Sequence, residues 1–216
     1  MLCRMGVILQ VHLKRFFYSG ICWLVTVFLF SNCSVSKNPL RNTIRQLQRG
    51  ELRDDTSYIY NLPYEKGSGH RIVQGYFGVF SHKERAALDF KMKRGTKICA
   101  IRNGVVVRVK EDGDRGGWNK KYRPFGNNIV IQHADGSRSG YWHLQKDGAL
   151  VAVGDTVKQG QVIALSGKTG YAAIPHLHLI VWTFDSNRQW QQMANRFQTK
   201  KGPIYLRTWK KYRNPG

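Results

Sequence analysis

From Ile72 onward the chain consists of short runs rich in Val and Ile, set apart by turn residues. That rhythm constrains the fold more than any other feature. The runs fall at 97–101, 104–109, 128–132, 139–144, 149–153, 161–165 and 177–182. Apolar and β-branched runs of this length and spacing read as strands, with Asn103-Gly104 and Asp135-Gly136 as hairpin turns between them. The pattern predicts a mainly β, antiparallel domain. Between Val109 and Asn127 a longer polar loop holds Gly113, Gly116, Gly117, Trp118, Tyr122 and Phe125. A loop of that length carrying aromatics is placed to line a groove.

The start of the chain follows different rules. Arg4, Lys14 and Arg15 precede an apolar run from Phe16 to Phe30, interrupted only by Ser19, Gly20 and Thr26, and no acid occurs before Glu51. A basic stretch followed by about 7–15 apolar residues is the layout of an export signal, whereas a spanning helix takes about 20. Residues 1–32 are therefore read as a signal peptide, with a short uncleaved anchor as the alternative. Leu29-Phe30-Ser31-Asn32-Cys33 is similar to a bacterial lipobox in its Cys and departs from it at Asn32. Acylation of Cys33, and membrane attachment through it, stays open. The expected location is the bacterial cell envelope.

Charge and cysteine content narrow the function classes. Lys and Arg number 35 against 13 Asp and Glu, a formal net charge of +22, and only three of the basic residues lie in 1–32. Such a chain is drawn to polyanions, and export separates it from nucleic acid, so no nucleic-acid partner is expected. Four cysteines without a CxxC pair exclude a zinc ribbon, a thioredoxin-type site and a dense disulfide framework. Cys99, within Ile98-Cys99-Ala100-Ile101, reads as a buried thiol.

The histidines carry the chemistry. Seven occur, at 12, 70, 82, 133, 143, 176 and 178. In His176-Leu177-His178 the two imidazoles project from one face of a strand, while Leu177 and Leu179 point into the core. One inward histidine is usually a packed core residue. Two on one face suit zinc ligation or proton transfer. Ser81-His82 followed by Ala87-Leu88-Asp89-Phe90 adds an imidazole and a carboxylate bracketed by apolar residues, and burying that carboxylate requires compensation. Tyr141-Trp142-His143-Leu144 adds a further imidazole. Gly154-Asp155 to Gly160-Gln161 also occurs in biotinyl and lipoyl carrier domains, but the nearest turn lysine, Lys168, lacks the flanks a carrier needs.

Together with Gly95-Thr96, Asn103-Gly104, Gly126-Asn127, His133 to Asp135-Gly136 and Ser166-Gly167 to Thr169-Gly170, these motifs stand in family order. From about Gly75 to Trp182 the chain resembles the lysostaphin-type (LytM-like) zinc metallopeptidases that cut bacterial cell-wall peptides. The resemblance implies the lysostaphin-type peptidase fold, a duplicated hybrid motif with an open groove. It implies one Zn2+ per chain held by His82, Asp89 and His178, with a fourth position left for water. His143 and His176 would flank that water as proton carriers, and peptidoglycan would be the partner. Six residues separate His82 from Asp89, more than in many members, and are read as a loop insertion that returns Asp89 to the metal.

The expected organisation is a leader at 1–32, a tether at 33–70, a metallopeptidase domain at 71–185 and a basic extension with closing strands at 186–216. Arg41, Arg45 and Arg49 mark one short helix in the tether, Gly67-Ser68-Gly69 ends it, and its position suggests a segment covering the groove. His133 is assigned a structural role, His70 a solvated loop, and Asp112-Gly113-Asp114 a solvated turn because it lacks further calcium ligands. Two other functions remain open. A non-catalytic regulator of a wall amidase usually lacks one or more of the five site residues, all present here. A toxin-like peptidase aimed at competing cells would carry identical motifs.

Overall fold

The computed structural model describes residues 36–55 and 57–216. The leader, the Cys33 acylation site and the alternative anchor lie outside the described residues. Among the described residues no helix is long and apolar enough to cross a membrane.

One helix, α1 (Leu40–Arg49), precedes fifteen strands. They are β1 (Ile59–Tyr60), β2 (Gly69–Gln74), β3 (Ala87–Lys91), β4 (Lys97–Cys99), β5 (Gly104–Lys110), β6 (Asn128–Gln132), β7 (Arg138–Trp142), β8 (Leu144–Ala149), β9 (Thr156–Val157), β10 (Val162–Ser166), β11 (His176–Phe184), β12 (Trp190–Met193), β13 (Arg196–Thr199), β14 (Gly202–Tyr205) and β15 (Lys211–Arg213). The large sheet runs β15-β2-β3-β11-β7-β6-β5-β9, with β12 continuing the β3 side of β11. Its neighbours are antiparallel. Small sheets β4-β10-β8 and β1-β13-β14 complete the fold. The core between them is built from the apolar face of each strand, including Ile72, Leu88, Phe90, Ile129, Tyr141, Leu177 and Leu179.

The fold is mainly antiparallel β, as the residue rhythm predicts, and the departures have local causes. Asp135-Gly136 does turn β6 into β7: Gly136 adopts φ 81°, and the His133 N–H donates to Ser137 O at 2.8 Å. Asn103-Gly104 makes no hairpin, because the chain there passes from the β4 sheet to the large one. The run at 139–144 splits in two at His143, whose φ of 65° turns the chain out of the large sheet. After Ala149 the expected strand is a turn, closed by Asp155 accepting from the Ala152 N–H at 2.8 Å, with Leu150 and Val153 exposed.

The stretch read as a tether is corrected most. Residues 40–49 are helical, but Tyr60, Leu62 and Tyr64 are fully buried core residues, and β1 pairs with β13. His70 lies on β2, half-buried, with Nδ1 3.0 Å from Lys91 O and its ring edge-on to Tyr64. Cys99 is buried and burial pushes its thiol up to about 11. His133 is buried between Asn103 O (2.7 Å) and Ser139 Oγ (3.0 Å), a packing role.

Candidate metal centre

One transverse row of the large sheet builds most of the site. Gln74 of β2 stands opposite Asp89 of β3, Asp89 opposite His178 of β11, and His178 opposite Trp142 of β7. Opposed residues of antiparallel strands share a face, so register alone sets a carboxylate beside an imidazole. His176, two residues earlier, joins the same face, while Leu177 and Leu179 enter the core. His82 arrives from the loop between β2 and β3, and the six intervening residues return the chain to Asp89.

Three donor atoms converge there. His178 Nδ1 lies 2.8 Å from Asp89 Oδ1, and His82 Nε2 lies 3.0 Å from His178 Nδ1 and 3.2 Å from Asp89 Oδ1. All three residues are buried. His82 Nδ1 sits 3.2 Å from Gly75 O. A carbonyl only accepts, so Nδ1 carries the hydrogen and Nε2 turns a lone pair toward the other two atoms. One hydrogen on His178 cannot satisfy all three edges of this triangle. A cation at its centre can. Ligand atoms about 2.0–2.2 Å from a tetrahedral ion stand about 3.3 Å apart, slightly wider than the spacing seen, and two imidazoles with a carboxylate form a zinc-type donor set.

The surroundings orient each ligand. Gln74 Nε2 donates to Asp89 Oδ2 at 3.1 Å, and Gln74 Oε1 accepts from the Phe80 and Ser81 N–H groups, each at 3.1 Å. Asp89 Oδ1 is thereby left to face the triangle. Burial works to raise the Asp89 carboxyl, but the His82 and His178 imidazoles outweigh it and hold it well below the usual range. Burial pushes His178 down to about 4 against the pull of Asp89.

The two remaining histidines sit above this row without joining the triangle. Their rings are 4.6 Å apart, centroid to centroid. His143 Nδ1 lies 2.7 Å from Thr169 O, and His176 Nδ1 lies 2.8 Å from Ile174 O. Both therefore carry hydrogen on Nδ1. Burial, with His176 and His178 adding to it, pushes His143 down to about 3, so it is neutral at pH 7. The carbonyl that fixes His143 is itself held. The Thr169 hydroxyl accepts from the Asn127 N–H and donates to Leu144 O, and Gly116 bridges to Gly170 so closely that a Cβ there would stand 1.7 Å from Lys168 O. The long loop before Asn127 thus reaches the site as expected.

An open groove of about 390 Å3 runs over these residues, walled by Arg85, Arg123, Trp142, Tyr171, Trp182 and Gln192. No described residue before 70 lines it, so the helical segment does not cover the groove. The five residues singled out from sequence converge beneath it. A model of peptidase family M23 matches residues 83–192, just over half of the chain.

The chain belongs to peptidase family M23. This M23 chain is 39% identical over 111 residues to the glycyl-glycine endopeptidase ALE-1 of Staphylococcus capitis, a match covering 51% of the chain and 25% of that protein. It is 41% identical over 90 residues to the peptidoglycan DD-endopeptidase ShyA of Vibrio cholerae, covering 42% and 18% respectively. The catalytic domain of the antimicrobial peptidase lysostaphin from Staphylococcus simulans superimposes with a TM-score of 0.41 at 32% identity, over 58% of this chain and 87% of that one. The matches span about a fifth to a quarter of the length of such curated relatives. Sequence reasoning about this M23 domain missed Gln74, the Gly75, Thr169 and Ile174 carbonyls, and the groove arginines. Of these, only Thr169 lay within a motif already marked.

Proposed function

We propose that this chain is an exported zinc metalloendopeptidase that hydrolyses peptide bonds of bacterial peptidoglycan. The observation that carries the reading is the convergence of His82, Asp89 and His178 on one triangle, with two histidines held in the Nδ1–H tautomer beside it. Zinc in that triangle supplies Lewis acidity and lowers the pKa of water to about 7. The protein's own groups do the rest. Gly75 O and Gln74 hold His82 and Asp89 in their ligating orientations. Neutral His143 presents Nε2 to the groove, and His176 holds its Nε2 3.7 Å from Asp89 Oδ1; one of the two accepts the attacking water's proton and the other stabilises the developing oxyanion and protonates the leaving amine. The similarity to named peptidoglycan endopeptidases supports the substrate, and the leader at 1–32 supports export. All five site residues are present and convergent, which favours an enzyme over a regulator.

The test is direct. The zinc-loaded full-length chain in mild detergent is incubated with isolated peptidoglycan sacculi, and soluble products are identified by mass spectrometry. New peptide ends that disappear with a chelator and with His143→Ala establish the activity and name the bond. Intact sacculi despite stoichiometric zinc would remove the peptidase reading.

A further inference from the structure

Two guanidinium groups stand in the groove without a described carboxylate to pair with. Arg85 precedes β3 and Arg123 lies in the 3-10 helix Lys120–Phe125 that precedes β6; both are exposed and both line the groove. In the sheet order β3-β11-β7-β6 they flank the strip that carries His178 and Trp142. They enter the groove from different elements, one from the loop before β3 and the other from the 3-10 helix before β6. Each serves its own wall.

Neither is a loosely attached surface charge. The Arg85 N–H donates to His82 O and Arg85 O accepts from the Phe77 N–H, both at 2.9 Å, which fixes the residue relative to a metal ligand. The Arg123 guanidinium lies 5.6 Å over the Tyr171 ring, another groove residue, in a contact that favours one orientation. Among the described residues the only acid lining the groove is Asp89, and it belongs to the triangle with His82 and His178. Trp142, Trp182 and Tyr171 supply aromatic surface around these charges.

Accepting the peptidase reading, we infer that Arg85 and Arg123 make the groove selective for cross-link peptides that carry a free carboxylate within two or three residues of the scissile bond, in preference to uncharged bridges such as polyglycine. Two or three extended residues span roughly 7–10 Å, the scale of a groove of about 390 Å3. A carboxylate there meets a planar, permanently charged fork of donors.

The experiment compares one substrate in two charge states. A cross-linked peptide dimer released from sacculi is used as the free acid and after conversion of its carboxylates to amides, with the zinc-loaded full-length chain. The free acid should be cleaved with a kcat/KM roughly tenfold higher at low salt, as expected for charge-assisted hydrogen bonds, and the advantage should shrink at high salt. In the Arg85→Gln/Arg123→Gln double variant the ratio should fall to about one. Fluorescence anisotropy with His143→Ala should show the same preference in Kd, independent of turnover. Equal kcat/KM for both forms, a preference for the amide, or a preference insensitive to salt would overturn the inference and leave the peptidase reading intact. If neither form is cleaved and sacculi also stay intact, the peptidase reading falls and takes this inference with it.

Discussion

At the residue scale, His82, His143 and His176 all hold their ring hydrogen on Nδ1 against a backbone carbonyl, and of the three His82 alone contributes an atom to the triangle. His143 and His176 have theirs pinned by carbonyls outside the triangle, so removing His143 should leave the metal in place. His143→Ala is expected to keep about one zinc per chain while turnover falls at least about 100-fold, whereas His82→Ala loses both. Elemental analysis beside the sacculus assay distinguishes these outcomes. Gln74 acts one step further out, and Gln74→Leu should weaken zinc affinity roughly 10–100-fold without unfolding the chain. A competition titration against a chelator measures it, and unchanged affinity would strike Gln74 from the positioning groups. Strand periodicity marked residues 176 and 178 as a pair on one face, and an acid between Leu88 and Phe90 demanded a partner, but the choice of His82, Asp89 and His178 as the ligand set came from the family resemblance. Gly75, Thr169 and Ile174 were not legible, since they act through carbonyls that every residue type carries.

At the scale of elements, the sequence reading saw strands wherever Val and Ile cluster, and missed them where pairing decides. The segment through Tyr60, Leu62 and Tyr64 alternates like a strand, but its neighbours are polar and Pro63 interrupts it. Its partner β13 lies far along the chain, which no local pattern displays. Leu62→Ala should therefore cost about 2–5 kcal/mol of unfolding free energy in urea, where a tether would show no change. The β6–β7 turn permits a pH test. Burial works to raise the Asp135 carboxyl, but Ser137 and Arg102 hold it down to about 2, against about 3.9 in an unfolded chain. A lowered carboxyl stabilises the fold as the anion, so its contribution is complete above about pH 4 and lost by about pH 2. Its side chain is half exposed, which keeps the effect below about 1 kcal/mol. Wild type and Asp135→Asn should differ by a small constant amount from pH 5 to 7 and converge toward pH 2. A gap that persists at pH 2 would exclude this ion pair as its source.

Taken as a whole molecule, the chain is strongly basic, and its sheet brings His82, Asp89 and His178 together in a donor set that suits a cation. A ligand bound only by the folded state adds about 2.7 kcal/mol at 100 times its Kd. Chelation should consequently lower the Tm of the wild type, zinc should restore it, and His82→Ala should respond to neither. Calorimetry with and without chelator checks this. The formal charge of +22 should also make retention on isolated sacculi fall steeply with salt. The β15–β2 pairing has one more consequence. Strand β2 carries Gln74 and leads into Gly75, which hold Asp89 and His82 in place, and its outer edge is closed by residues 209–213 near the far end of the sequence. The centre is thus late in time as well as central in space. A chain emerging from a ribosome has His82 and Asp89 long before His178, and the support for β2 comes later still. Until that stretch arrives, the strand that leads into Gln74 and Gly75 waits for its outer partner.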